Sequence, residues 1–333
     1  MAMGICSMAA IFIWALPIYG FGKWATIFQN GMRLSRLTVG FGQGILGPIS
    51  RRKVMFEKIA VAAISFVPEK FALDKNANRL EAQFRRAAAR GAQLAVAPEG
   101  VLEGYVVMDI IEGRVAAEEM RAVAVATRGA MMDRFRALAR ELKMCLAFGL
   151  AEKIGRDLYN CAVFIDHNGK LCGKYHKMQL AEGYHRSWWF NRLGKNSRAF
   201  NTPFGRCGFL ICNDRWNPDI ARIPVLDGAQ YLLIPSYGSR SKSQDANVLA
   251  RARENGVAIV EANVGVTMAV SKGEVVALSR KETTITYASI EIPAAASRAN
   301  RDQHEGRFLT WRRREMRARY EKTMARVSRK GNK

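Results

Sequence analysis

Three residues of this chain share a setting that chemistry can exploit. Glu99 follows Pro98 at the end of the apolar run Leu94–Ala95–Val96–Ala97. Lys177 closes Lys174–Tyr175–His176–Lys177, and Cys212 follows Gly208–Phe209–Leu210–Ile211. Where a strand ends, turning backbone leaves side chains and amides free to act. The three side chains also complement one another. A thiol is only slightly ionised at neutral pH, and an adjacent carboxylate can take its proton. The same carboxylate can then protonate a leaving nitrogen and later activate water. A lysine ammonium supplies fixed positive charge where an oxyanion develops, and the N–H of Asn213, on the turn after the cysteine, is a second donor. Taken singly, each residue has a plain structural reading. Cys212 would be a small buried hydrophobe, Glu99 a turn acid and Lys177 a surface charge. Their occurrence together, in this order, carries the catalytic reading.

The segments around these residues resemble those of the carbon–nitrogen hydrolase (nitrilase) superfamily. Pro98–Glu99 followed by Gly104–Tyr105 is similar to its P-E-x-x-x-x-G-Y segment. Lys174–Tyr175–His176–Lys177–Met178–Gln179–Leu180 resembles K-Y-R-K-x-H-L, and Phe209–Leu210–Ile211–Cys212–Asn213–Asp214–Arg215 resembles its nucleophile segment. The resemblance covers residues 53–293. It implies an α/β fold built as a four-layer α-β-β-α sandwich, with Glu99, Lys177 and Cys212 as a catalytic triad. It also implies a second glutamate that orients the lysine and the substrate, for which Glu182, five positions beyond Lys177, is the candidate. No cofactor and no metal are expected.

The start Cys212–Asn213–Asp214–Arg215 departs from the commoner C-Y-D-x-R form and looks like the branch acting on N-carbamoyl amino acids. The implied substrate is a small amide or ureido compound. Arg215 could pair with a substrate carboxylate, or it could pair with Asp214 or Asp219 as structural glue. Trp188 and Trp189 lie between lysine and nucleophile, as an aromatic wall over substrate or as a packed pair at a subunit contact. Attack on a nitrile through a thioimidate would use the same three residues. Readings from other classes are a membrane-associated N-acyltransferase and a non-catalytic scaffold. Relatives commonly assemble, so a homo-oligomer, dimer or larger, is expected.

The elements that must position these residues are visible in the hydrophobic pattern. Residues 59–64 and 94–97 read as buried strands, as do 145–151, 160–166, 208–211, 231–234 and 257–261. Leu80, Phe84 and Ala87 mark a helix over 76–90, with Gly91 as its stop. Met131, Phe135, Leu138 and Leu142 mark another over 130–142. Alternating strands and helices argue for layered α/β architecture.

The formal net charge is +23, and it is concentrated at the ends. Residues 1–53 hold six Lys/Arg and no acid, and residues 298–333 hold thirteen against four acids. The domain reading is therefore an apolar, basic appendage over 1–52, a hydrolase domain over 53–293 and a basic arm over 294–333. The arm reads first as a solvated tail. Nothing accompanying the charge marks a zinc finger or helix-turn-helix, so no specific nucleic-acid partner is expected. Six cysteines without CxxC pairing argue against a zinc site or a disulfide framework and for reduced thiols in a cytoplasmic protein. Residues 1–22 carry no charge but are broken by Pro17 and Gly20, which leaves membrane contact through the N-terminus as the alternative.

Overall fold

The computed structural model describes residues 57–295 and 300–331. The apolar start and the appendage assigned to 1–52 lie outside the described residues.

Two six-stranded sheets form the centre of the domain. The first orders β12 (Thr284–Ile292), β1 (Glu57–Ser65), β2 (Leu94–Val96), β3 (Cys145–Ile154), β4 (Asp157–Ile165) and β5 (Leu171–His176). The second orders β11 (Glu274–Ser279), β10 (Val266–Ser271), β9 (Ala258–Asn263), β8 (Tyr231–Ser236), β7 (Gly205–Phe209) and β6 (Phe200–Thr202). In each sheet three central strands run parallel, β1–β2–β3 and β7–β8–β9, and antiparallel strands flank them.

Alternation along the strands dictates the stacking, because successive side chains point to opposite faces. Ile59, Val61 and Ala63 of β1 face Tyr231, Leu233 and Val260 of the other sheet in one shared core. Ala62 and Ile64 point outward, onto Leu80 and Phe84 of α1 (Leu73–Ala89) and Phe135 of α4 (Ala130–Leu142). On the far side, Leu232 and Ile234 of β8 meet Ala221 and Val225 of α5 (Pro218–Leu226) and Val248 and Ala252 of α6 (Lys242–Asn255). These are the four expected layers. Two short helices, α2 (Val107–Ile111) and α3 (Ala117–Val123), occupy the long connection after Glu99.

The solvated-tail expectation does not hold over residues 301–331. They form one helix, α7 (Arg301–Gly331), rich in strong helix formers. Phe308, Met316 and Thr323 are buried on its inner face, with Tyr320 and Val327 half-buried beside them. Ion pairs fasten its first turns, Arg301 to Asp227 at 2.7 Å, Glu305 to Arg198 at 2.8 Å and Arg307 to Asp219 at 3.0 Å, and His304 Nδ1 lies 2.9 Å from the same Asp219 carboxylate. The loop after Glu182 presses on the helix backbone. A Cβ at Gly183, which has φ +84°, would come 2.6 Å from the Arg319 carbonyl carbon, so only glycine fits there. No helix among the described residues is long and apolar enough to cross a membrane.

Phe308 is fully buried against the shared core. Phe308→Ala should therefore lower the unfolding free energy by about 3–5 kcal/mol in urea titration. A loss below about 1 kcal/mol would mean that α7 is not docked, since exposed positions are usually neutral.

Candidate active site

Glu99 is placed by backbone bonds from both sides. After β2, Ala97 N–H donates to Ala147 O at 2.8 Å, Gly149 N–H to Pro98 O at 3.0 Å and Val101 N–H to Gly149 O at 3.1 Å. The approach is so close that a Cβ at Gly149 would stand 2.5 Å from Glu99 Cα. Lys177, directly after β5, donates its N–H to Asn160 O and accepts from Gly194 N, both at 2.9 Å. The two side chains meet with no solvent exposure, Lys177 Nζ lying 2.6 Å from Glu99 Oε1. Asn160 Nδ2 also donates to Glu99 Oε1 at 2.7 Å, and Tyr237 N–H donates to Oε2 at 2.9 Å. The carboxylate thus has a partner on each oxygen.

Cys212 opens a 3-10 turn, Cys212–Trp216, immediately after the apolar run. Its φ is 44°, in the left-handed region that costs a residue bearing a Cβ. Asp214 holds the strained elbow in place. Its carboxylate accepts from Ile211 N–H at 2.9 Å, from Gln179 N–H at 2.9 Å and from Tyr175 O–H at 2.8 Å. Because Tyr175 and Gln179 flank Lys177, the same carboxylate ties the cysteine turn to the lysine segment. Cys212 Sγ lies 3.9 Å from Tyr237 O, so one residue, Tyr237, bridges thiol and Glu99 through its backbone. The turn makes its first internal bond from Asp214 N–H to Ile211 O, which leaves the Asn213 N–H among the first-turn amides that the turn itself does not satisfy.

Burial and charge divide the protonation states. Burial is the largest influence on Lys177 and opposes its charge, but the acidic groups around it, Glu99 foremost and then Cys212, Glu182 and Asp214, together outweigh that cost and hold the ammonium above the ordinary lysine value. Burial, then the Glu99 charge, push the Cys212 thiol up, against the pull of Lys177 and Arg215. Burial also raises Glu182, with Lys177 acting in the opposite sense, and pushes Asp214 up to about 6.

The remaining candidates are placed less uniformly. Glu182 is buried and accepts from Asn191 Nδ2. Asn213 Nδ2 donates to Gln179 O at 3.2 Å, while its Oδ1 accepts from Arg319 of α7 at 3.4 Å. Arg215 differs from both expectations. It is fully buried and ion-paired with Glu261 of β9, and its Nη2 lies 3.5 Å from Cys212 Sγ. Neither Asp214 nor Asp219 is its partner, and a guanidinium without solvent access and already matched by a carboxylate is not an open anchor for a substrate carboxylate. Trp188 packs on Phe190 and on Tyr320 of α7, with centroids 5.4 and 5.3 Å apart, and Trp189 lies edge-on to Phe190. Trp188 therefore helps to seat the terminal helix. The wall of the open cavity is formed instead by Tyr105, whose ring stacks on Tyr237 at 5.1 Å, together with Glu182 and α7.

Sequence reading passed over Asn160, Asp214 as a fastening group, Tyr237 and Glu261. An asparagine in the middle of an apolar strand was a usable signal, since Asn is depleted in strands. Glu152, Cys161 and His176 offer ligand atoms within 4.8 Å of one another. Glu152 is already engaged by Lys174 at 2.7 Å, Thr127 at 2.7 Å and His176 at 2.5 Å, and despite burial these bonds bring it down to about 2. This cluster braces β3 to β5 next to Lys177. Breaking the other buried pair tests its role: Arg215→Leu, which strands Glu261, should cost about 3–5 kcal/mol of stability in urea titration. A raised KM with unchanged stability would restore Arg215 as a substrate ligand.

Similarity to known proteins agrees with this geometry. The chain is 31% identical over 160 residues to an N-carbamoylputrescine amidase from Oryza sativa, covering 46% of this chain and 53% of that one. It is 26% identical over 181 residues to a citrullinase from Francisella tularensis, covering 54% and 60%. These matches span little more than half the length of those relatives. A bifunctional nitrilase/nitrile hydratase from Nicotiana tabacum is 28% identical, with 67% and 65% covered. The crystal structure of an amidase from Nesterenkonia sp. superposes with a TM-score of 0.61 at 21% identity, covering 75% of this chain and 96% of that one, and so shares the fold. Residues 58–300 match the family model for carbon-nitrogen hydrolases, and the chain belongs to that family.

Proposed function

We propose that this protein hydrolyses the C–N bond of a small amide or ureido compound, with Cys212 as nucleophile, Glu99 as general acid–base and Lys177 as oxyanion partner. The observation that carries this reading is the fully buried Glu99–Lys177 pair, bridged through Tyr237 to a cysteine held in left-handed backbone. Glu99 takes the Cys212 proton as sulfur bonds to the carbonyl carbon. The resulting oxyanion is stabilised by the Lys177 ammonium and the Asn213 N–H. As the C–N bond breaks, Glu99 returns the proton to the departing nitrogen and a thioester remains on Cys212. Glu99 then takes a proton from water, hydroxide adds to the thioester carbon, and the C–S bond breaks to release the acid and the thiol. Glu182, buried near Lys177, positions the ammonium by its charge. In a Glu-to-Gln mutant of the amidase from Nesterenkonia sp. AN1, which shares this fold, acrylamide has added to the active-site cysteine, which supports a reactive thiol at this place in the fold.

A nitrile would enter the same site by attack at its carbon, and turnover of amides, ureides and nitriles separates these substrates by the product formed. The expected assembly is a dimer or larger. Val275, Val276 and Leu278 support it as exposed apolar residues on the edge strand β11, an arrangement that favours covering.

Cys212→Ser should reduce turnover by at least about 10³-fold while the melting temperature barely moves. Cys207→Ser, in a buried position on β7, is the matched control and should retain turnover. Near-normal turnover by Cys212→Ser would remove the nucleophile from the scheme. The raised thiol value adds a pH test. Since the group is protonated below its pKa, alkylation of Cys212 by iodoacetamide in the free enzyme should keep accelerating as pH climbs past the ordinary thiol value of 9.0. A plateau already reached below pH 7 would indicate a preformed thiolate and contradict proton removal on demand.

A further inference from the structure

α7 does more than cover the domain, because one of its faces lines an open cavity that reaches Tyr237, the residue bridging Glu99 and Cys212. That cavity measures about 1390 Å³ and has Tyr105, Glu182 and Tyr237 on its inner side. Glu315, Arg319, Lys322, Arg326 and Arg329 line its other side. They recur every three or four residues, so they form one stripe along the helix. Glu315 is matched by Arg319 at 2.5 Å, and Arg319 also reaches Asn213, the residue after the cysteine, at 3.4 Å. Lys322, Arg326 and Arg329 have no acidic partner among the described residues, and residues 1–56 contain no Asp or Glu.

Like charges three and four residues apart on a helix destabilise it. Here three exposed cations face a shared cavity rather than spreading around the helix. At 1.5 Å rise per residue they lie about 4.5, 10.5 and 15 Å along the axis from Arg319. An anion entering the cavity would relieve the repulsion and find guanidinium and ammonium donors on one wall. Arg215, the alternative cation near the cysteine, is buried and taken by Glu261.

We infer that the Lys322–Arg326–Arg329 face of α7 is the subsite for an anionic tail, so that the substrate is an amide or ureide carrying a carboxylate or phosphate several atoms from the scissile bond. This rests on the hydrolase reading of Cys212. Tail and reacting group are then held by different parts of the chain: the tail by the terminal helix, the carbonyl by Lys177 and the cysteine turn.

The test uses the full chain and four ureides of equal length whose tails are neutral, carboxylate, phosphate and ammonium. For the wild type, kcat/KM should favour the carboxylate or the phosphate over the neutral compound by about 10- to 100-fold. The preference should shrink as salt is added. Whichever of the two anions leads identifies the tail. In Lys322→Gln/Arg326→Gln/Arg329→Gln the preference should vanish through KM, with kcat and the neutral compound unchanged. The single variant Arg326→Gln should show a smaller shift of the same kind, and unchanged helix content by circular dichroism guards against a misfolded triple variant. Best turnover of the neutral or ammonium compound by the wild type would overturn the subsite, as would equal losses on all tails in the variants. Cys212-dependent turnover that ignores tail charge overturns this inference alone. No Cys212-dependent turnover of any compound overturns the reading of the site and this inference with it.

Discussion

A carboxylate and an ammonium held 2.6 Å apart with no access to water impose a demand on everything around them. Desolvating each ion costs several kcal/mol, and their attraction compensates only when the geometry is close and the remaining lone pairs are bonded. The surroundings of Glu99 and Lys177 meet that demand. Asn160 donates to one Glu99 oxygen and Tyr237 N–H to the other, while the Lys177 backbone is fixed by Asn160 and Gly194. Glu99 and Lys177 follow β2 and β5, and their partners come from β4, the residue after β8 and the loop before β6, so the second sheet contributes through Tyr237. The first sheet brings the two ions and Asn160 together, and a shift of the second sheet on it would strip Glu99 Oε2 of its Tyr237 N–H donor.

The cysteine turn is governed by a related constraint. Cys212 occupies a backbone conformation unfavourable for any residue with a Cβ. Asp214 holds it there by accepting three hydrogen bonds, two of them from the residues flanking Lys177. The pocket at Cys212 is tight as well: a Cβ at Gly238 would approach Sγ to 3.2 Å. Strain at the thiol and desolvation at the ion pair are held by one set of contacts, so Cys212, Glu99 and Lys177 are organised before substrate arrives, as the proposed mechanism requires. That is how preorganised sites lower barriers.

Much of this was legible in the amino-acid order. Ile59, Val61 and Ala63 against Ala62 and Ile64 already encode a strand buried on both faces, and the alternation of such strands with helices argues for α/β layers; the four-layer sandwich comes from the family resemblance. Glu99 and Cys212 stood out because each follows an apolar run, and Lys177 because it closes a strand in the order the resemblance requires. The misreadings have physical causes. For Arg215 the sequence leaves substrate anchor and structural pairing open and offers only the nearby Asp214 and Asp219 as partners, because Glu261 lies 46 positions away and no local pattern links them. The stretch 301–331 was read as a solvated tail because charge dominates its composition, although Phe308, Met316, Tyr320, Thr323 and Val327 recur at helical spacing within it. Trp188 and Trp189 read equally as a wall over substrate or as a packed aromatic pair, and neither reading includes the terminal helix that Trp188 meets at Tyr320. Pairings across the chain and the docking of a charged amphipathic helix are tertiary facts that local pattern underdetermines.

The most direct measurement of the central claim is where the acyl group resides during turnover. A turnover mixture quenched in acid at successive times and mapped by peptide mass would locate it. The mechanism predicts an acyl thioester on the peptide containing Cys212, appearing before steady-state release of acid and absent in Cys212→Ser. Acyl label on any other residue, or sustained turnover with the Cys212 peptide unmodified at every quench time, would contradict it.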